Sequence, residues 1–318
     1  MKRFGNLYKK VYSINNLKLA DKNARKGKTN NYDVQAHDLN KDDNIINLYH
    51  ILRNKEYKTS KYEIYSIREP KERIIYKLPY YPCRIVHHSI LNVLKPILLP
   101  TFTSNTFNCI KGRGIIGAYK SIRKSLLDID NTQYCLKFDI KKYYPNIDHD
   151  ILKKILRSKI KDRDFLWLLD EVIDSAPGCP IGNYGSQWFA NLYLTKFDHW
   201  IKENKRVKYY FRYCDDIVIL GKTKQELHIL FKEIQEYLHK ELKLEIKNNH
   251  QIFLVKNRGI DFVGYVFYHT HIMLRKNIKL RFLKMLKYNK NHKSIASYWG
   301  WLKYCNSINL INTHFKHD

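Results

Sequence analysis

The sequence predicts an α+β fold, in which long amphipathic segments alternate with short strand-forming runs. Three observations carry this expectation. Residues 207–220, VKYYFRYCDDIVIL, are two β-rich runs on either side of the adjacent acids Asp215 and Asp216, the pattern of a tight hairpin with carboxylates at its tip. Residues 133–139 form another strand-like run, ending on Asp139. Segments such as 223–241 instead set Leu227, Leu230, Phe231, Ile234 and Leu238 at helical spacing.

Along the chain, Phe4, Leu7, Val11, Ile14 and Leu17 recur at helical intervals, predicting one helix over 4–19 before a polar link at 21–31. A second helix is expected at 41–53, with Ile45, Ile46, Tyr49 and Leu52 as its apolar face. Two strands, 62–68 and 73–78, flank Glu69-Pro70-Lys71-Glu72, where proline suits a turn. Lys71 and Arg73 on this hairpin are cations able to grip a triphosphate, although exposed bases on hairpins are usually only solvated. Helical spacing returns over 81–98, with His87 and His88 on different faces, which favours packing over metal ligation. In NCIKGRGIIG, residues 108–117, Lys111 and Arg113 stand among Gly112, Gly114 and Gly117. Glycines there let backbone amides approach phosphate, but the Gly-Lys-Ser/Thr ending of a Walker loop is missing. A helix is expected over 115–127.

Beyond Asp139, a helix capped near Asp148 puts that acid at an open sheet edge. Helices at 148–157 and 162–174 lead to a Pro- and Gly-rich loop over 176–183 and then to one long helix, 184–203. Gly185, Ser186 and Ala190 on its first turns permit close approach of a ligand or of another helix, two readings of equal weight. The helix at 223–241, capped by Thr223, is followed by short strands at 242–246, 252–255, 260–267 and 272–274, then by mostly helical 277–305. No acid occurs from 262 to 317, while Arg275, Lys276, Lys279 and Lys284 are among many cations there. A charge run is usually a solvated face, but so long a one-signed stretch favours a nucleic-acid surface.

Composition points the same way. With 58 Lys and Arg against 30 Asp and Glu, the chain of 318 residues carries a net charge of +28, which implies a polyanionic partner, nucleic acid first and a membrane surface second. No run approaches the roughly 20 apolar residues that span a bilayer, and no signal-type segment follows the basic start, so a soluble cytoplasmic protein is expected. The six cysteines are scattered without a Cys-x-x-Cys pair, which argues against a zinc site or a disulfide framework. Tyrosines, 25 of them, interleave with lysines as stacking on bases requires, though a genome rich in A and T would also favour these residues.

Two neighbouring carboxylates between apolar strands repel one another, and a divalent cation relieves that cost. Taken alone, Asp215 and Asp216 are equally well read as ordinary turn residues. Asp139 at the end of another strand shifts the balance, because two-metal phosphoryl transfer needs carboxylates converging from separate strands.

At this point the chain resembles a reverse transcriptase. FDIKKYYPNID is similar to the first palm motif of that family, and FRYCDDIVIL to its Tyr-x-Asp-Asp motif, with Cys214 where Ala or Met is commoner. The resemblance implies a right-hand polymerase: an N-terminal extension and fingers over 1–132, a palm over 133–269 with a fingers insertion at about 148–180, and a basic helical thumb over 270–318. It implies two Mg²⁺ ions, with Mn²⁺ able to replace them, on Asp139, Asp215, Asp216 and the Ile140 carbonyl. Tyr144 matches the steric gate that selects dNTPs, and Lys71, Arg73, Ile181, Gly182 and Gln187 fall where the family holds the incoming nucleotide. Nucleic-acid contacts are expected at Lys111, Arg113, Gly264, Tyr265, Arg275, Lys276, Lys279 and Lys284, the 259–265 stretch being similar to the primer grip. Lys243, Lys247 and Lys256 all lie near where a lysine of the family protonates pyrophosphate, and the choice stays open.

PIGNYGSQ, residues 180–187, resembles the loop-helix motif of the reverse transcriptases of diversity-generating retroelements, as do RIVHH at 84–88 and SYWGWL at 297–302. In that subfamily an apolar residue at the Ile181 position replaces a glutamine that contacts the nucleotide, which accompanies misincorporation opposite template adenines. Membership implies a template-repeat RNA, a cDNA or primer strand, a small basic multimeric accessory protein, no membrane partner, and a bacterial or phage origin. No appended RNase H, maturase or endonuclease domain is expected. Retron-type enzymes stay open, without their usual Val-Thr-Gly, as does a non-catalytic RNA-binding relative, in which the acids would be eroded.

Overall fold

Helices and antiparallel sheets share the computed structural model, which describes residues 3–68, 72–288 and 292–315. The chain divides into two units: Met1–Ser104 with Lys141–Trp200 and Tyr237–Glu245, and Asn105–Ile140 with Ile201–Glu236 and Ile246–Asp318.

In the first unit, β1 (Glu63–Ile67) and β2 (Arg73–Lys77) form an antiparallel hairpin with Ile64 opposite Tyr76. Residues 69–71, Lys71 among them, lie outside the described residues. The helix Ile85–Leu98 is buried almost all round, His87 and His88 included, as suits a segment apolar on every side. The single helix expected over 4–19 is two pieces, Tyr8–Val11 and Ile14–Ala24. Ser13 Oγ accepts from the Asn16 N–H at 3.4 Å and so starts a new helix. The first piece is held elsewhere: the N–H groups of Leu7 and Tyr8 donate to Asp162 Oδ2 at 2.6 and 3.0 Å. Through its other oxygen Asp162 caps the helix Arg163–Asp174, and Asp148 likewise caps His149–Lys159. The long helix expected over 184–203 breaks at Leu194 into Ser186–Tyr193 and Thr195–His199. There Thr195 Oγ1 donates to the Asn191 carbonyl at 3.1 Å and competes with the backbone ladder.

The second unit holds β3 (Tyr134–Asp139), β4 (Tyr209–Tyr213), β5 (Asp216–Gly221) and β6 (Gln251–Leu254), an antiparallel sheet in the order β4-β5-β3-β6. In β5, residues 217–220 are buried on both faces, so they read as an unbroken apolar run rather than an alternation. Cys135, Val218 and Leu220 belong to one apolar cluster with Ala118, Tyr119 and Ile122 of the helix Gly114–Ser125. Phe138, which points the other way along β3, meets the Phe231 ring at 6.0 Å. A second antiparallel sheet is built from β7 (Ile260–Phe262), β8 (Tyr265–Phe267) and β9 (Ile272–Leu274). The strand expected over 260–267 is therefore a hairpin, because Val263 and Gly264 take φ of 44° and 92° and reverse the chain. The strand expected at 242–246 is reduced to one bridge, Ile246 opposite Ile140. None of the six cysteines, all of them among the described residues, is in a disulfide. Among the described residues no helix is long and apolar enough to cross a membrane.

Candidate active site

Side chains alternate between the faces of a strand, so Lys137 and Asp139 of β3 share a face with Asp216 and Val218 of β5. In the register, Asp139 lies opposite Asp216 and Lys137 opposite Val218. Asp215 and Cys214 form the two-residue turn between β4 and β5, with Tyr213 opposite Asp216. Cys214 takes a φ of 59°, the positive value that such short hairpin turns require. Arg212, fully buried, braces the turn: its guanidinium donates to the Cys214 carbonyl at 3.1 Å. The Ile140 N–H donates to the Asp215 carbonyl at 3.3 Å.

Three acids thus gather at one end of the sheet, and their electrostatics reflect it. Burial pushes the Asp216 carboxyl up to about 7; the Lys137 charge opposes the rise, and the Asp139 and Asp215 charges add to it. Burial also raises the Asp215 carboxyl, with the Asp139 charge adding to the rise and the Lys247 charge opposing it. Lys247 Nζ lies 3.3 Å from Asp139 Oδ2. Beside these residues is a cavity of about 250 Å³ lined by Lys137, Asp139, Gln251, Phe253, Arg258 and Asp261.

Among the described residues, no three or more His, Cys, Asp or Glu side chains stand close enough to hold a metal ion by themselves. The donor set nevertheless fits a hard divalent cation. Asp216 Oδ1 is buried without a hydrogen-bond partner, and carboxylate and carbonyl oxygens are the ligands Mg²⁺ and Mn²⁺ take. Mg²⁺ in nucleotide enzymes uses one or two carboxylates and completes its shell with waters and substrate phosphates, so a full protein cage is not required.

The residues expected around the nucleotide lie in the first unit. The Tyr76 N–H of β2 donates to the Ile181 carbonyl at 2.8 Å, which ties the hairpin to the 180–183 loop. Gly182, at φ +124°, sits so close that a Cβ would overlap the Tyr76 carbonyl oxygen. Tyr62 completes the junction: its hydroxyl accepts from Asn183 Nδ2 at 2.7 Å and pairs with Ser175 Oγ at 2.7 Å. Tyr144 is half-buried, its carbonyl accepting from the Cys179 N–H at 2.9 Å. Arg73 and Gln187 are exposed.

The expected nucleic-acid residues lie in the second unit and divide by burial. Lys111, Lys276, Lys279 and Lys284 are exposed. Arg113 is half-buried, donating to the Thr106 carbonyl at 3.1 Å, and Arg275 pairs with Asp261 at 2.5 Å. Tyr265 is a core residue instead of a surface one: its ring is buried and its hydroxyl donates to the Trp301 carbonyl at 3.1 Å. In its three-residue strand it shares the buried face with Phe267, and the half-buried Val266 between them points the other way. At Gly264 any side chain would collide with the Trp301 ring.

Two residues at the acids escaped the sequence reading. Arg212 looked like one more cation among many, and only its place in an otherwise apolar strand, YYFRY, hinted at burial. Lys137 stands at an inward-facing position of β3, two residues before Asp139, a period-2 signal that was there to be read.

Comparison with known proteins gives this geometry a family. Protein YkfC of Escherichia coli (strain K12) is 23% identical over 238 residues, which are 61% of this chain and 61% of YkfC. An uncharacterised 91 kDa protein in a cob intron of Schizosaccharomyces pombe is 28% identical over 133 residues, 38% of this chain and 16% of that protein. The chain thus spans less than two thirds of either relative. Among solved structures, apo telomerase from Candida tropicalis superposes with a TM-score of 0.53 at 12% identity, covering 70% of this chain and 49% of that one. Telomerase from Candida albicans in complex with a fragment of telomeric RNA gives 0.52 at 12% identity, over 75% and 52%. Identity so low establishes a shared polymerase fold and nothing finer. Residues 61–267, about two thirds of the chain, hold β1 to β8 with all three acids, and they match the family described as reverse transcriptase (RNA-dependent DNA polymerase); the chain belongs to that family.

Proposed function

We propose that the protein is an RNA-directed DNA polymerase that copies a template RNA into cDNA by two-metal nucleotidyl transfer. The observation that carries this reading is the register of Asp139 against Asp216, with Asp215 in the adjoining turn. The primer 3′ oxygen forms a bond to the α-phosphorus of a dNTP, the α–β phosphoanhydride bond breaks, and pyrophosphate leaves.

Asp139, Asp215, Asp216 and the Ile140 carbonyl are the groups assigned to hold the cations. When bound, Mg²⁺ or Mn²⁺ supplies Lewis-acid stabilisation of the attacking and leaving oxygens. Of the three candidate lysines, Lys247 is assigned the proton that pyrophosphate takes up, because its ammonium faces Asp139 while Lys243 is paired with Asp148 at 2.6 Å. Tyr144 is assigned the exclusion of a ribose 2′-hydroxyl, and Lys71, Arg73, Ile181, Gly182 and Gln187 the incoming nucleotide. Lys111, Arg113, Arg275, Lys276, Lys279, Lys284 and the Gly264 turn are assigned to the nucleic-acid strands, phosphate contacts that a net charge of +28 favours. The domain assignment that goes with it is an N-terminal extension and fingers over 1–132, a palm over 133–269 with a fingers insertion at about 148–180, and a thumb over 270–318.

The finer reading is a diversity-generating retroelement enzyme, with a template-repeat RNA and a small basic multimeric accessory protein as partners. Ile181 supports it: an apolar side chain offers no hydrogen bond to a nucleotide, and discrimination falls with it. Primer extension on a defined RNA with Mg²⁺ and dNTPs tests the activity. Asp215→Asn is expected to slow extension by at least ~100-fold, and extension at the wild-type rate would overturn the assignment. Faithful copying of adenines in the presence of native RNA and accessory protein would remove the subfamily reading alone.

A further inference from the structure

Asp216 Oδ1 is buried and accepts no hydrogen bond, an arrangement that costs stability unless a charge compensates it. The cation beside it is Lys137, whose Nζ lies 3.7 Å from that oxygen. The geometry follows from the register: Lys137 is diagonal to Asp216 on one face of the β3–β5 pair, a spacing that a long side chain bridges. The ammonium is anchored on its other side, where it donates to the Asp261 backbone carbonyl. Asp261 is held in turn by Arg275, whose Nε donates to Asp261 Oδ1 at 2.5 Å. The Arg275 N–H donates to the Gly264 carbonyl at 3.0 Å, closing the chain of contacts on the β7–β8 turn.

We infer that Lys137 is a positioning residue for Asp216: a resident cation that faces the carboxylate on its Oδ1 side and ties it to the Asp261–Arg275 pair. The inference rests on the reading of Asp216 as a metal-holding acid. Its physical content is that the lysine supplies the counter-charge for one side of Asp216 whether or not a divalent ion is present. The ammonium donates to the Asp261 carbonyl while its charge faces the Asp216 carboxylate, so one side chain serves both groups. An uncharged residue of similar length would take the counter-charge away from Oδ1 and leave a bound metal to compensate the buried acid.

The test is thermal unfolding of the full chain, with EDTA and with Mg²⁺ in excess, for wild type, Lys137→Met, Lys137→Arg, Asp216→Asn and the double variant Lys137→Met/Asp216→Asn. Lys137→Met is expected to lower the midpoint by roughly 2–6 °C in EDTA, and Mg²⁺ is expected to recover more of the midpoint in this variant than it adds to wild type. Lys137→Arg retains the wild-type response. In the double variant the loss caused by Lys137→Met largely disappears, because no carboxylate remains to be compensated. Additive effects of the two substitutions, or an unchanged Mg²⁺ response in Lys137→Met, would overturn the inference. Primer extension by wild type is measured separately, so a chain that makes no cDNA but shows the Lys137–Asp216 coupling refutes the proposed activity and not the pairing.

Discussion

Lys247 holds Asp139 at two points: its backbone N–H donates to the Asp139 carbonyl at 2.9 Å, and its ammonium lies 3.3 Å from Asp139 Oδ2. The same lysine therefore fixes the end of β3 and faces the acid that ends it. If Lys247 protonates pyrophosphate, Lys247→Met lowers kcat by ~10²-fold with little change in dNTP KM. Lys247→Arg keeps the ion pair but releases a proton poorly, so it keeps the fold and not the rate. Pre-steady-state single-nucleotide incorporation reads this. Equal incorporation by wild type and Lys247→Met would move the role to another lysine.

Gly182 is the point where the 180–183 loop meets β2. Gly182→Ala forces a Cβ against the Tyr76 carbonyl at a φ of +124°, which is strained for any L side chain. The expected cost is about 1–3 kcal/mol, seen as a lower unfolding midpoint and faster proteolysis of the β1–β2 hairpin. Unchanged stability would mean that the contact is not made in solution.

At the neighbouring position, Ile181→Gln restores a hydrogen-bonding side chain. On the proposed retroelement reading, misincorporation opposite template adenine is expected to fall by ~10-fold, counted by sequencing the cDNA. An unchanged error frequency would sever fidelity from this residue.

Stability should fall in mild acid because of two histidines. Burial pushes His87 down to about 4 and His88 to about 3, with the Arg84 charge adding at both and the Lys95 charge at His88. The His88 ring also stacks on the Tyr184 ring, with centroids 3.7 Å apart. A base with a depressed folded pKa binds more protons when unfolded, so stability is fully present above about pH 6.5 and is lost as pH falls towards 4. The loss is about 2 kcal/mol per histidine at pH 5. Urea unfolding at pH 7.5 and pH 5 measures it, and His87→Leu is expected to reduce the slope by about half. An unchanged slope would mean that His87 is reached by water in the native state.

Much of the fold was legible because its signals are local. The helix expected at 41–53 is found at Lys41–Arg53, and the one at 223–241 at Lys224–Leu242 with Thr223 Oγ1 accepting from the Glu226 N–H at 3.2 Å. Apolar spacing and a capping hydroxyl lie within one turn of chain, and no distant contact alters them. Misreadings arose where a nonlocal partner or a single dihedral decides. Residues 4–19 break because Asp162, far along the chain, takes the Leu7 and Tyr8 N–H groups, and residues 260–267 fold back because Val263 adopts a positive φ.

The acids followed the same division. That Asp139 ends a strand and that Asp215 and Asp216 sit at a hairpin could be read from residue order, since apolar runs and turns are properties of neighbours. Which side chains surround those acids could not. Lys247 rather than Lys243, Lys137 on the inward face, Arg212 beneath the turn and Tyr265 in the core were all decided by strand register and burial, which arise only when segments distant in sequence pair and exclude water. By itself the sequence determined the order of the elements and the positions of the acids; the tertiary structure alone decided the company those acids keep, because a counter-charge acts through space and not along the chain.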